Sequence, residues 1–474
     1  MSDQIVYQIF PDRFAIGGPH TSDSKLALPQ YAHGQHRRWT DSPLGGQDFF
    51  GGDLQGIIDR LDYLAELGVT TLYLTPIFQA PSNHKYDTTD YLQVDAQFGD
   101  DQRLRTLIEA LHGRGMRLIM DISINHVSDR HPWFVKARNG ESPYRDWFTF
   151  KPDGRYLCWR DHGHMPELDL RRPDLQDRLF RQPDSIMQHY LAMGLDGWRL
   201  DVAADMGISV MEALREAISI RYADRILIGE VMAFVAGFVG DSRRYHGVMN
   251  YYFRDGALAW LNGRVSGLQL IEALRDASRE GILSSWNMLS SHDTPRLANL
   301  LPQAWQRWLA LVLQFTTPGV PVVYYGEEVG MQGGFDPDCR RPMLWDASDW
   351  SPETVGWYRT LIELRRTRRE LREGCFIALS HVLNTETVAF IRHTDVPQEV
   401  SLVAVNPSDK PFKAVLLLPY PHLYHDLPLR DALGSHSHLK MGAGSVDVEV
   451  APRSAAVWVP DDSRYRNYTF FKGA

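Results

Sequence analysis

Four short segments of the chain end in acidic or histidine side chains: Asp121-Ile-Ser-Ile-Asn125-His126, Gly197-Trp-Arg199-Leu-Asp201, Ile228-Gly-Glu230 and Ser291-His292-Asp293. Two carboxyl groups flanking one bond can break a glycosidic link. One protonates the leaving oxygen, the other meets the positive anomeric carbon, and retaining enzymes hold the two about 5 Å apart. Asp201 and Glu230 are the candidate pair. Arg199 stands two residues before Asp201 and points to the same side of a strand, so its charge is expected to lower the Asp201 pKa and keep the carboxylate ionised as nucleophile. Glu230 follows the apolar run Ile226-Leu-Ile-Gly229, where desolvation is expected to raise its pKa and suit it to donate a proton. Asp293 adds a third carboxylate. His126 and His292 can donate hydrogen bonds to sugar hydroxyls, and Tyr86, in Asn83-His84-Lys-Tyr86-Asp87, can stack on a sugar ring. One carboxylate after an apolar run is ordinarily a helix cap or an ion-pair partner, and one histidine or tyrosine is ordinarily structural. Four segments of this kind, with Arg and His beside the acids, are not explained by capping.

Three of these segments follow or continue runs that read as buried strands, Met116–Met120, Asp196–Leu200 and Ile226–Ile228. The first two-thirds of the chain repeats one unit: an amphipathic helix, a glycine break, then a short apolar strand. Leu54, Ile57, Ile58, Leu61 and Leu64 fall at helical spacing, Gly68 can end that helix, and Thr70–Leu74 then reads as a strand. The next unit places Leu104, Leu107, Ile108 and Leu111 on one face before Gly113, Gly115 and the strand Met116–Ile122; a further helix, re-set at Pro183, runs to Met193. With Ile5–Phe10, Val248–Tyr252, Trp286–Leu289 and Val320–Tyr324 the count of strands reaches eight. The pattern predicts an α/β fold, a (β/α)8 TIM barrel, whose strand ends carry the reactive groups.

The barrel is expected to occupy residues 1–125 and 174–372. Residues 126–173, rich in Trp, Phe, Tyr, Pro and Gly, are too long for a simple connection and are read as a small subdomain inserted after the third strand. From 373 to 460 short period-two runs separated by turn formers predict a C-terminal antiparallel β-sandwich domain. They are Cys375–Val382, Thr387–Arg392, Val400–Val405, Ala414–Leu418, Val446–Val450 and Ala455–Val459. The tail, 461–474, carries no structural signal.

Composition narrows the class. The 474 residues carry 50 Lys and Arg against 59 Asp and Glu, a formal charge of −9, which argues against nucleic acid or an anionic membrane as partner. The three cysteines, Cys158, Cys339 and Cys375, are odd in number and lack metal-ligand spacing, as expected for reduced thiols. No basic-then-apolar leader and no membrane-length apolar run is present, so the expected location is cytoplasmic. An oligosaccharide is the expected partner, and a homodimer is left open.

The motifs also resemble a known family over nearly the whole chain. Val6-Tyr-Gln-Ile-Phe-Pro-Asp-Arg13-Phe, Phe50-Gly-Gly-Asp53-Leu, Ser82-Asn-His-Lys-Tyr86-Asp87, Met165-Pro-Glu-Leu and Gly326-Glu-Glu join the four segments above. Together they are similar to the signature segments of the α-amylase family of glycoside hydrolases, nearest to its neopullulanase, cyclomaltodextrinase and maltogenic amylase branch. The resemblance implies that Asp201 is the nucleophile, Glu230 the acid/base and Asp293 the residue that distorts and fixes the sugar. It implies that Arg199, His126, His292 and Tyr86 line the same subsite, with Asn83 and His84 as further substrate contacts. The implied activity is retaining hydrolysis of short or cyclic maltodextrins, with transglycosylation as a companion reaction.

The chain departs from that branch in four places. The branch usually carries an N-terminal β domain, whereas here barrel-like sequence begins almost at residue 1. Val202-Ala-Ala-Asp205 stands where Val-Ala-Asn-Glu is expected, and Val231-Met232 where Trp commonly follows the acid. These three bear on substrate preference. The fourth concerns calcium: Ala15-Ile-Gly-Gly-Pro-His replaces a loop that usually supplies Asn and Asp ligands, leaving Gly51 and Asp53, so no cofactor and no metal is expected. Two alternatives stay open within the class, an exo-acting α-glucosidase and a hydrolase of an α-1,6-containing cyclic or branched oligosaccharide. A third, a non-catalytic amylase-like binding protein, is disfavoured by the retained acids.

Overall fold

A computed structural model of the chain describes residues 2–461 apart from 33, 233–234, 280–283, 381–385, 397, 419–425 and 443. Eight parallel strands close into a barrel: β1 (Val6–Ile9), β2 (Thr71–Leu74), β3 (Arg117–Ile122), β4 (Gly197–Leu200), β5 (Ile226–Val231), β6 (Gly247–Asn250), β7 (Trp286–Asn287) and β8 (Val320–Tyr324). Each pairs with its sequence neighbours, and β8 closes on β1. The amphipathic helices fall where their spacing predicts. The first is broken at Arg60 into Leu54–Asp59 and Leu61–Leu67, and Gly68 ends it at φ 94°, a left-handed conformation that glycine adopts without strain.

The barrel interior is layered by the period-two geometry of its strands. Val6, Ile119, Ile226, Ile228, Met249 and Val322 form part of a buried apolar cluster inside it. Two residues further along the same faces stand Gln8, Asp121 and Glu230. The apolar filling therefore gives way to polar groups at the C-terminal ends of the strands, the face at which a barrel of this kind carries its chemistry. Gly197 in β4 permits close packing at that point, because a Cβ there would lie 2.3 Å from the carbonyl oxygen of Ile226.

Strand lengths differ from those expected in two informative cases. β5 runs on to Val231, so Glu230 is part of the strand and does not merely follow it. β7 is only Trp286–Asn287, because the chain turns at Ser290–Ser291, where Ser291 N–H donates to Thr294 Oγ1 at 2.9 Å.

Residues 126–173 hold the α-helix Pro132–Arg138, short 3-10 turns at Tyr144–Trp147 and Trp159–Asp161, and isolated antiparallel bridges such as His126 with Glu167 and Cys158 with Pro166. Its interior is aromatic: Phe134 packs edge-to-face on Phe148 at 5.0 Å and on Tyr156 at 4.7 Å, and Trp133 on Trp147 at 5.0 Å.

The C-terminal module is antiparallel. β9 (Cys375–Ala378), β10 (Val388–His393), β11 (Val400–Asn406), β13 (Pro428–Asp431), β14 (Leu439–Lys440) and β16 (Ser454–Pro460) form one sheet in the order β9-β10-β11-β16-β13-β14; β12 (Phe412–Leu417) and β15 (Ser445–Val450) form a second. Strands β13 and β14 escaped the sequence reading because Pro428-Leu-Arg-Asp and Leu439-Lys440 are too short to show alternation. The part of the expected first strand beyond residue 380, and the tail from 462, lie outside the described residues. Among the described residues no helix is long and apolar enough to cross a membrane.

Candidate active site

The strand ends bring four charged side chains into one buried cluster. Arg199 in β4 is fully buried, and its Nη1 donates to both oxygens of Asp121 in β3, at 2.9 and 2.8 Å, and to Oδ1 of Asp201 at 2.9 Å. Its Nη2 lies 3.1 Å from Oε1 of Glu230. One guanidinium thus reaches three carboxyl groups from three adjacent strands. The register explains how: Asp121 lies opposite Arg199 across the β3–β4 pair, and Leu200 opposite Gly229 across β4–β5. Glu230 is tied down a second time, because the backbone N–H of Val202 donates to its Oε2 at 2.8 Å. Val202 adopts φ +51°, which a β-branched residue almost never does, so the turn after Asp201 holds strain that orients this N–H.

A cavity of about 500 Å³ opens above this cluster. Asp201, Glu230 and Asp293 line it together with His84, Tyr86, His126, Trp159, Asp205, Met232, Asp336 and Arg340. Tyr86 hydroxyl donates to Asp121 Oδ2 at 2.9 Å, and its ring stacks on His292 at 5.7 Å and 13°. Tyr73 donates to the same oxygen at 2.6 Å. Asp293, whose side chain is 31 % exposed, sits between Arg340 Nη2 and His292 Nε2, each at 3.1 Å. His126 stacks on Trp159 at 5.5 Å, and Ser123 Oγ lies 3.2 Å from its Nε2.

Burial sets the protonation of these groups. It holds the His126 imidazole down to about 3, and it holds His84 and His292 well below the ordinary histidine range, with Arg340 as the next cause for both. Burial also pushes Asp121 up to about 6 against the pull of Arg199. The expected downward pull of Arg199 on the Asp201 pKa is present, but it does not set the outcome. Burial, and after it the neighbouring Glu230 carboxylate, push Asp201 well above its ordinary value, and Arg199 opposes them without prevailing. The physical reason is that one guanidinium charge is divided among Asp121, Asp201 and Glu230, all of them buried.

Of the residues singled out from the sequence, Asp201, Glu230, Asp293, Tyr86, His84 and His126 line this cavity, whereas Arg199 and His292 are fully buried and reach it only through the side chains they contact. Asn83 does not line it. It is buried, and its Nδ2 donates to the carbonyls of Gly45 and Asp48, both at 2.9 Å, so its amide fixes a neighbouring loop. The aromatics of the insert also divide. Trp133, Trp147, Phe148 and Tyr156 pack on one another or on Phe134, whereas Trp159 lines the cavity. Residues that the sequence reading passed over are Asp121, Arg340, Asp336 and Gln8. Asp121 opens one of the four segments and could have been found there; Arg340 and Asp336 lie in a connection after β8 with no periodic signal.

Comparison with known proteins agrees with this geometry. Residues 8–361 match the alpha amylase catalytic domain. The chain is 36 % identical over 422 residues to a cyclomaltodextrinase of Bacillus sp., covering 86 % of this chain and 73 % of the relative. It is 35 % identical over 425 residues to neopullulanase 2 of Thermoactinomyces vulgaris, covering 86 % and 70 %. Among solved structures, the ligand-free cyclic α-maltosyl-(1→6)-maltose hydrolase of Arthrobacter globiformis superposes with a TM-score of 0.80 at 28 % identity, covering 96 % of this chain and 98 % of that one. The chain is a hydrolase of the α-amylase family of glycoside hydrolases.

Proposed function

We propose that the chain cleaves α-glucosidic bonds in short or cyclic maltodextrins by double displacement with retention of configuration. One observation carries this reading: the buried Arg199 guanidinium contacts both Asp201, at 2.9 Å, and Glu230, at 3.1 Å, at the floor of a single cavity. One cation holds both carboxyl groups at the same cavity, which is the arrangement a nucleophile and an acid acting on one bond need. In the first step the Asp201 carboxylate forms a bond to the anomeric carbon, the glycosidic C–O bond breaks, and the leaving oxygen takes the proton of Glu230. In the second, Glu230 takes a proton from water, and that water's oxygen displaces Asp201. A sugar hydroxyl in place of water gives transglycosylation.

A second reading, hydrolysis of a cyclic oligosaccharide containing α-1,6 links, is favoured by the Arthrobacter structure, which this chain matches over nearly its full length. Rates on maltotriose, β-cyclodextrin, panose, pullulan and soluble starch separate the two. The first reading expects kcat/KM on maltotriose or β-cyclodextrin at least about 10-fold above starch, some 1.4 kcal/mol at the transition state. Preference for panose over maltotriose would favour the second, and equal efficiency on starch would contradict both.

We also infer that no calcium ion serves the loop around Asp53. Its Oδ1 accepts from the backbone N–H groups of Gly17 and Gly56, at 3.1 and 2.7 Å, and its Oδ2 is ion-paired with the Lys25 ammonium. A carboxylate already matched by an ammonium, with backbone donors around it, does not fit a cation that needs six or more oxygens.

A further inference from the structure

His292 is surrounded by partners that leave it one arrangement of hydrogens. On one side its Nε2 lies 2.7 Å from the Tyr86 hydroxyl and 3.1 Å from Asp293 Oδ2. An ionised carboxylate only accepts, and the Tyr86 hydroxyl proton is directed to Asp121 Oδ2 at 2.9 Å, so Tyr86 can only accept from the imidazole. Both partners therefore require hydrogen on Nε2. On the other side Nδ1 lies 2.7 Å from Nε2 of Gln8, a fully buried side chain on β1. A neutral imidazole with hydrogen on Nε2 presents a lone pair at Nδ1, and the Gln8 amide supplies the matching N–H. Rotating that amide would set its oxygen against the lone pair. The amide oxygen is buried without a hydrogen-bond partner, so the contact with Nδ1 is the one side-chain hydrogen bond the Gln8 amide makes among the described residues.

We propose that Gln8 is a positioning residue that fixes His292 as the Nε2–H tautomer, and through it orients Tyr86 and Asp293 on the sugar. The kinetic part of this proposal rests on the α-glucosidic reading above; the tautomer itself does not. Charge is not the variable that Gln8 controls. Burial, then Arg340 from the connection after β8 and Arg199 from β4, hold His292 neutral, while Glu230 from β5 pulls the other way and Asp293 is the carboxylate next to it. What remains to be chosen is which nitrogen keeps the proton.

Imidazole ¹⁵N NMR of the full chain, with the Gln8→Glu and Gln8→Met variants, tests the assignment. In the unmodified protein the His292 signals should show Nε2 protonated and Nδ1 bare at neutral pH. Gln8→Glu puts an acceptor opposite Nδ1. His292 should then gain a proton on that nitrogen and titrate, kcat should fall about 10- to 100-fold with KM changed far less, and the pH profile of kcat should acquire a new ionisation. Gln8→Met, similar in size, should lower kcat in the same way without the new ionisation. Protonated Nδ1 in the unmodified protein would overturn the proposal, as would a folded Gln8→Glu protein with unchanged signals and pH profile. Should the NMR result hold while no α-glucan is cleaved, the α-glucosidic reading fails and the role of Gln8 stands.

Discussion

The strand ends and the insert build two walls of the same cavity by different physics. On the strand side Asp121, Arg199, Asp201 and Glu230 are buried and bound to one another, so removing any of them strands a charge away from water. On the insert side Trp159 is half-buried, Arg160 and Asp161 are exposed, and both of the latter adopt left-handed backbone, at φ 44° and 62°. Such a turn costs about 1 kcal/mol or more per residue and is held by its surroundings. Trp159 N–H bonds the Met165 carbonyl at 3.0 Å, Met165 N–H the His162 carbonyl at 2.8 Å, and Tyr156 hydroxyl the Gly163 carbonyl at 2.6 Å. The contrast teaches that the reaction and the choice of substrate are built separately. The charged wall is one cluster of mutually bound groups, whereas the turn stands on an aromatic core packed beneath it.

The largest expected effect breaks the charged wall. Asp201→Asn and Glu230→Gln, and to a similar degree Asp293→Asn, should lower kcat by several powers of ten with folding intact, in line with about 3–6 kcal/mol of lost transition-state stabilisation. Circular dichroism and steady-state rates check this, and near-normal turnover in the Asp201 variant would remove it as nucleophile.

The next effect sharpens the electrostatics of the same wall. Asp121 must be ionised to accept from Tyr73, Tyr86 and Arg199, and burial raises its pKa to about 6. Because the folded value lies above the unfolded one of about 3.9, the folded state keeps the proton as pH rises through that window, and the cost of burying the charge is felt fully only above pH 6. Activity should accordingly fall as pH drops below about 6, an acid limb lying at higher pH than ordinary carboxylates give. Measurement of kcat/KM against pH checks it; a profile flat down to pH 4.5 would contradict the ionised network.

Trp159 and Phe134 separate the insert's surface from its core. Trp159→Ala should lower kcat/KM on maltotriose about 10-fold, with little change in Tm, since the ring faces the cavity. Phe134→Ala should instead cost about 3–5 kcal/mol of stability, because the ring is buried among Phe148, Phe150 and Tyr156. The smallest effect is expected from EDTA. With Lys25 paired to Asp53, dialysis should leave rate and Tm unchanged, and a loss restored by Ca²⁺ would refute the reading of that loop.

The barrel was legible in the sequence because its signals are local. Helical spacing, a glycine stop and an apolar run recur unit after unit, and the acids sit where each run ends. The charged cluster was legible in its members but not in its electrostatics. Arg199 two residues before Asp201 looked like a private partner, and only the strand register revealed that Asp121 and Glu230 share it. Asn83 was misread for a similar reason, since its place beside Tyr86 in sequence says nothing about the loop carbonyls of Gly45 and Asp48 that it binds. Gln8 lies some 280 residues from His292 in the chain and meets it only when β8 closes the barrel on β1. Contacts made by closure leave no mark in any window of sequence.

In the proposed mechanism Asp201 attacks the anomeric carbon while Arg199 holds Glu230 beside it. Proton NMR of the first-formed sugar tests this most directly, recorded within the early minutes of hydrolysis and before mutarotation. Two displacements require the reducing-end product to appear as the α-anomer, later relaxing toward the equilibrium mixture. A β-anomer appearing first would mean a single displacement by water, and would contradict the roles assigned to Asp201 and Glu230.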